Sequence, residues 1–211
     1  MTLFKSIKHF FNRADASQQA APQSEAEKQA ARQSVYIATI EAERAHKDIE
    51  FRNSPYSPLD AEARQNFAGL SYYPPDPAMQ MTLPLQRIAP EPIIIQTNTG
   101  DEQPFNKIGA VEFEIEGEKT SLAIYQGEGD AEGELFAPFK DVTNGVETYG
   151  AGRYLEPVLL SGDRIVVDFN LAYNPYCAYS ENFVCPLPPH ENWLKVPIRA
   201  GEKQFEKQFK M

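Results

Sequence analysis

Residues 138–191 restrict the fold of this 211-residue chain more than any other stretch. They read PFKDVTNGVETYGAGRYLEP and, further on, DRIVVDFNLAYNPYCAYSENFVCPLPPHE, and they hold five tyrosines, six prolines and both cysteines. Proline fixes φ and biases the residue before it toward extended geometry, so Asn174-Pro175 and Cys185-Pro186-Leu187-Pro188-Pro189 are rigid connectors. Connectors of this kind wrap a core that is built elsewhere. One run departs from the pattern: Ile165, Val167, Phe169 and Leu171 alternate with Val166, Asp168, Asn170 and Ala172. Period two predicts a strand over 165–172, apolar on one face, with Asp168 and Asn170 side by side on the other.

The same stretch concentrates groups with chemistry. In Tyr149-Gly150-Ala151-Gly152-Arg153-Tyr154 the glycines permit a tight path or a close approach, but the lysine and the strand-to-helix setting of a phosphate loop are missing. Arg153 offers a planar fork to a carboxylate or phosphate, or an internal ion pair with Glu147 or Asp168. Cys177 and Cys185 precede His190 and Glu191 and admit several readings. These are a short-loop disulfide worth about 2 to 3 kcal/mol, a metal site with His190, a thiol nucleophile with His190 as its base, or two small buried thiols. A single histidine beyond a seven-residue cysteine spacing is poor for zinc, so no metal is assigned. Taken together, the expectation is a pocket for a small polar molecule lined by Tyr149, Arg153, Asp168, Asn170, Asn174 and Tyr176, with Arg153 and Asp168 facing inward together. Cys177 or Glu191 would supply any chemistry, and no motif names a cofactor.

Around this stretch the chain reads as mainly β. Ser24 with Glu27 forms a capping box that starts a helix reaching about residue 51, and a short helix follows over 60–67. Strands are expected at 82–87, 93–97, 107–116, 119–126 and 193–199. The clearest hairpin joins Val111, Phe113 and Ile115, alternating with Glu112, Glu114 and Glu116, to the strand after Gly117. Without β-α-β alternation, the fold class is mainly β: an antiparallel β-sandwich or partly closed barrel with N-terminal α-helices. The divisions are 1–13, 14–24 as a polar linker, 25–68 as helices and 69–211 as the β domain. Residues 127–133 form a flexible acidic loop without the ligand order of a calcium loop.

Residues 2–13 place Leu3, Phe4, Ile7, Phe10 and Phe11 on one side of a helix whose remaining surface carries Lys5, Lys8, His9 and Arg13. An apolar face of that size needs cover, from a protein partner, a second copy of the chain or, less favoured, a membrane surface. The net charge is −10, and the first thirteen residues contain no acid, so the remainder is more acidic still. That balance speaks against nucleic acid as a partner, since phosphate backbones are bound by basic surface. No apolar run suits a secretory leader or a membrane span, so a cytoplasmic protein with reduced cysteines is expected.

The motifs PFxDxTNGxETYGAGRYL, VVDFNxAYNPYCAYS, CPLPPxENxL and PIRAGEK, with SPYSPL and FAGLSYYPPDP upstream, resemble the bacterial and archaeal domain-of-unknown-function family 1684. The resemblance covers roughly residues 30–205 and is specific, because several long motifs fall in order. It implies a shared fold and no assigned activity, so no catalytic residue comes with it.

Overall fold

The computed structural model describes residues 24–127 and 134–206. Leu3, Phe4, Ile7, Phe10, Phe11, nearly all of the linker and most of the acidic loop lie outside the described residues. Helix α1 runs Glu25–Asn53, and its start is set by the capping box: the Ser24 amide donates to Glu27 at 2.7 Å and the Glu27 amide to the Ser24 hydroxyl at 3.2 Å. The chain divides into two compact units at Val35/Tyr36. Up to Val35 the described part of α1 is exposed. From Tyr36 onward α1 belongs to the larger unit and buries Ile40 and Phe51. Helix α2, Ala61–Asn66, starts at Asp60, whose carboxylate accepts from the Ala63 amide at 2.7 Å. Phe51, Leu59, Phe67 and Tyr179 form a small cluster beneath these helices.

Six strands follow: β1 Gln80–Pro84, β2 Gln86–Gln96, β3 Glu102–Ile115, β4 Glu118–Gly127, β5 Val158–Leu160 and β6 Arg164–Asp168. They pair antiparallel in two three-stranded sheets, β1-β6-β5 and β2-β3-β4. Among the described residues there is no closed barrel. The β3–β4 hairpin turns through Glu116 and Gly117, both at positive φ (52° and 84°), which is what a two-residue turn matching the strand twist demands. Both sheets feed one apolar cluster: Ile165 and Val167 from β1-β6-β5, and Val111, Leu122 and Ile124 from β2-β3-β4, all fully buried. Each such side chain stabilises the fold by about 1.5 to 3 kcal/mol relative to exposure.

Three strand expectations are corrected. The one over 82–87 breaks at Leu85 into β1 and β2, which belong to different sheets. Residues 193–199 pass beside the sheets without joining a ladder, making only an isolated bridge from Trp193 to Lys140, yet Leu194, Val196 and Ile198 are buried. Alternation there marks which side chains enter the core, not a strand. The 165–172 strand stops at Asp168, where the carboxylate accepts the Asn170 amide at 3.0 Å and turns the chain into a single helical turn, Phe169–Leu171. Asp168 and Asn170 therefore do not share a strand face. They touch across a cap, Asn170 Nδ2 donating to Asp168 Oδ1 at 3.2 Å.

Candidate functional site

The residues expected to line one pocket separate into distinct contact groups. Arg153 is wholly buried and its carboxylate is Asp141, at 2.8 Å, with both side chains at zero exposure. The same nitrogen donates to the Ile198 carbonyl, and the other terminal nitrogen to the carbonyls of Ala200 and Glu202. Both terminal nitrogens are thus committed. Asp141 in turn accepts the amides of Thr143 and Ile198, so the pair pins the C-terminal segment against the Pro138–Arg153 region. Gly152 lets the Pro138–Arg153 region close on itself: at φ +108° a Cβ there would sit 2.6 Å from the Phe139 carbonyl oxygen.

Asp168 has other partners. The Tyr36 hydroxyl reaches its two oxygens at 2.8 and 2.7 Å, and Gln80 Nε2 donates at 2.9 Å. Burial and then the adjacent carboxylate hold the Tyr36 phenol well above its usual range. Asn170 spends its amide on Asp76, accepting from that residue's N–H at 2.8 Å and donating to its carbonyl at 2.7 Å. Arg153 and Asp168 accordingly answer to different partners, not to a shared recess.

Asn174 lies in a third group, centred on Glu202, which is only 1% exposed. Its carboxylate receives Lys47, the Tyr179 hydroxyl and the Asn174 amide, while Asn174 Nδ2 donates to the Lys203 carbonyl. Glu191 forms a fourth, taking the Tyr125 hydroxyl at 2.7 Å and the Lys107 ammonium. A hollow of about 190 Å³ does exist on β2 and β3, lined by Pro92, Ile93, Ile94, Pro104, Phe105 and Asn106, and includes none of the expected residues. Among the described residues no group of three or more His, Cys, Asp or Glu is placed to hold a metal ion.

Of the remaining three candidates, Tyr149 and Cys177 touch, and Tyr176 is the chain neighbour of Cys177. The Tyr149 hydroxyl lies 3.7 Å from the Cys177 sulfur, and the Cys177 amide donates to the Cys185 sulfur at 3.4 Å. Tyr176 is 43% exposed and packs edge-on against Phe183, with ring centroids 5.1 Å apart. Cys185 is buried and held by Asn98, which accepts its amide at 2.7 Å and donates to its carbonyl at 3.0 Å. Tyr154, its hydroxyl given to the Pro186 carbonyl, lies beside the same sulfur. The Cys177 thiol, with the amides of Cys177 and Tyr176, lowers the pKa of Cys185 against the opposing effect of burial. Cys177 is pushed up by its neighbouring sulfur and then by burial. His190 is not among the groups acting on either sulfur; its ring lies tilted at 40° against Trp193, centroids 4.0 Å apart.

Sequence reasoning missed Asp141, Tyr36, Lys47, Asn98 and Glu202. The only signal for the first was its position inside PFKDVTNG, one residue type among several polar ones. The others come from distant segments and carry no local mark.

The chain belongs to the DUF1684 family of proteins of unknown function, whose model matches residues 65–203. It is similar to an uncharacterised protein of Haloarcula marismortui solved by solution NMR: 38% identity over 81% of this chain and 95% of that chain, with a TM-score of 0.63. No curated protein matches. No described helix is long and apolar enough to cross a membrane.

Proposed function

We propose that this family member binds a small, uncharged, hydrogen-bonding molecule at the face made by Tyr149, Tyr176 and Cys177. One observation carries the reading: of the eight candidate residues these three combine partial exposure with contact or adjacency to one another, whereas Arg153, Asp168, Asn170 and Asn174 are buried and engaged by protein groups. The groups touching the sulfurs are hydroxyls, amides and a thiol, which recognise neutral donors and acceptors better than an ion. A thermal-shift screen of neutral metabolites tests it, because a ligand that prefers the native state raises Tm. Hits on the wild-type protein should vanish in the Tyr149→Phe, Cys177→Ser double variant while its unliganded Tm stays within about 3 °C, about 1 kcal/mol for a chain of this size. Hits that survive the double change sink the assignment.

The two sheets read as a sandwich, supported by the single apolar cluster drawn from both. Two free thiols suit a reducing cytoplasmic compartment. A second reading, favoured by the pattern of Leu3, Phe4, Ile7, Phe10 and Phe11, is a module that docks through residues 1–13 on a protein partner or second copy. Deleting 1–13 and finding assembly state, partner recovery and vesicle binding all unaltered would remove it.

A further inference from the structure

We propose that Cys177 and Cys185 are a reversible dithiol–disulfide pair, with Cys185 the sulfur oxidised first by a hydroperoxide and Cys177 the sulfur that resolves it. This concerns the same cluster as the binding proposal but not its ligand, and it stands or falls on a different measurement.

Geometry is the first support. A sulfur 3.4 Å from the Cys177 nitrogen lies at most about 4.9 Å from the Cys177 Cα, given an N–Cα bond of about 1.5 Å. A disulfide brings a sulfur to roughly that distance or closer, so rotation about side-chain bonds with a small backbone adjustment closes the bond. Second, the two sulfurs are unequal. Cys185 accepts the Cys177 amide, and the Tyr176 amide also favours its thiolate. Cys177 instead holds its proton while a thiolate stands beside it. The attacking sulfur is therefore already distinguished from the resolving one.

The steps balance. The Cys185 thiolate attacks one oxygen of the hydroperoxide, the O–O bond breaks, the sulfur becomes a sulfenic acid, and the departing oxygen takes a proton to leave as water or alcohol. Oxidation removes the negative charge that held the Cys177 proton, and the Tyr149 hydroxyl 3.7 Å away favours the Cys177 thiolate. The Cys177 sulfur then attacks the Cys185 sulfur, the S–O bond breaks, and the oxygen departs with the proton as a second water. Two thiols and one hydroperoxide give one disulfide: the peroxide gains two electrons and each sulfur loses one. An external dithiol reverses the change by exchange. Cys177, only partly buried, is the sulfur open to that exchange.

The test uses the full chain, reduced, desalted and treated with one equivalent of hydrogen peroxide. Expected are the joint loss of both titratable thiols, a mass lower by two hydrogens, a monomer on a non-reducing gel, and recovery of both thiols with dithiothreitol. In Cys177→Ser, dimedone should trap the sulfenic acid on Cys185. In Cys185→Ser, where the neighbouring sulfur no longer raises Cys177, trapping at Cys177 should still be the weaker of the two, because burial raises that thiol while the Cys177 and Tyr176 amides keep Cys185 lowered. Two thiols surviving in the wild-type protein, chains linked to each other, or equal trapping in both variants would overturn it. The wild-type measurement needs no variant to fold, and a thermal-shift screen without hits leaves it untouched.

Discussion

The Arg153–Asp141 pair and the Cys177–Cys185 pair are separated by few residues in sequence and by everything in circumstance. The first is a charge pair at zero exposure whose terminal nitrogens all have partners. The second pairs a half-exposed thiol with a buried one, linked by one long amide contact. Only Nε of this guanidinium is buried without a partner; its terminal nitrogens cannot take a ligand without giving up a bond, and the loss leaves a bare charge in the interior. A thiol with weak neighbours has little to give up. Polarity concentrated in one stretch thus serves two ends, fastening the chain and presenting chemistry, and exposure separates them.

The largest test of that contrast is Arg153→Ala, and separately Asp141→Ala. Each strands a buried charge and several backbone carbonyls or amides, so each should lose about 3 to 5 kcal/mol in urea unfolding. Cys177→Ser, on the other side of the contrast, should lose well under half of that. A cost below about 1 kcal/mol for Arg153→Ala would mean that the guanidinium is not fastening anything and is free for a ligand.

Tyr36→Phe is the intermediate case, removing a hydroxyl that donates to Asp168 but leaving Gln80 and the Asn170 amide in place. About 1 to 2 kcal/mol should be lost at neutral pH. The phenol's folded pKa is raised above its ordinary 10.0. The contribution is therefore complete below pH 10 and is lost as pH climbs through the higher folded value, so the wild-type and variant stability curves should converge in strong alkali. Parallel curves up to the alkaline limit would contradict the contact.

How much of this could be read beforehand follows from the kind of signal each feature leaves. The capping box at Ser24 and the β3–β4 hairpin are local: period, cap and turn residues all lie within a few positions of one another. The end of β6 was misread because alternation through Phe169 and Leu171 continues the strand pattern, while the Asp168 cap that ends it is a single side-chain hydrogen bond. Arg153 was recognisable as special, yet its partner was not. Glu147 and Asp168 carry the same charge as Asp141, and nothing in the residues beside Arg153 selects among them. Cys177 and Cys185, eight positions apart, admit a disulfide, a metal site or two separate thiols from spacing alone; Asn98, from the loop between β2 and β3, holds the backbone of the second and carries no local mark.

The smallest expected effect on stability is at Tyr149→Phe, where a hydroxyl 3.7 Å from a sulfur makes a weak bond and the ring stays in place. Less than about 1 kcal/mol should separate the variant from wild type in urea. Its influence should appear in thiol chemistry instead. The phenol favours the Cys177 thiolate, so removing it should leave the first alkylation by iodoacetamide, at Cys185, unchanged and slow the second, at Cys177. The first alkylation should follow a midpoint near pH 7, set by the Cys177 thiol and the amides of Cys177 and Tyr176 with Tyr154 and Tyr149 as the other titratable neighbours. Peptide mapping after timed alkylation resolves the two rates. Equal slowing at both cysteines would show that Tyr149 holds the loop as a whole, and the distinction between a fastened region and a reactive one would lose its clearest marker.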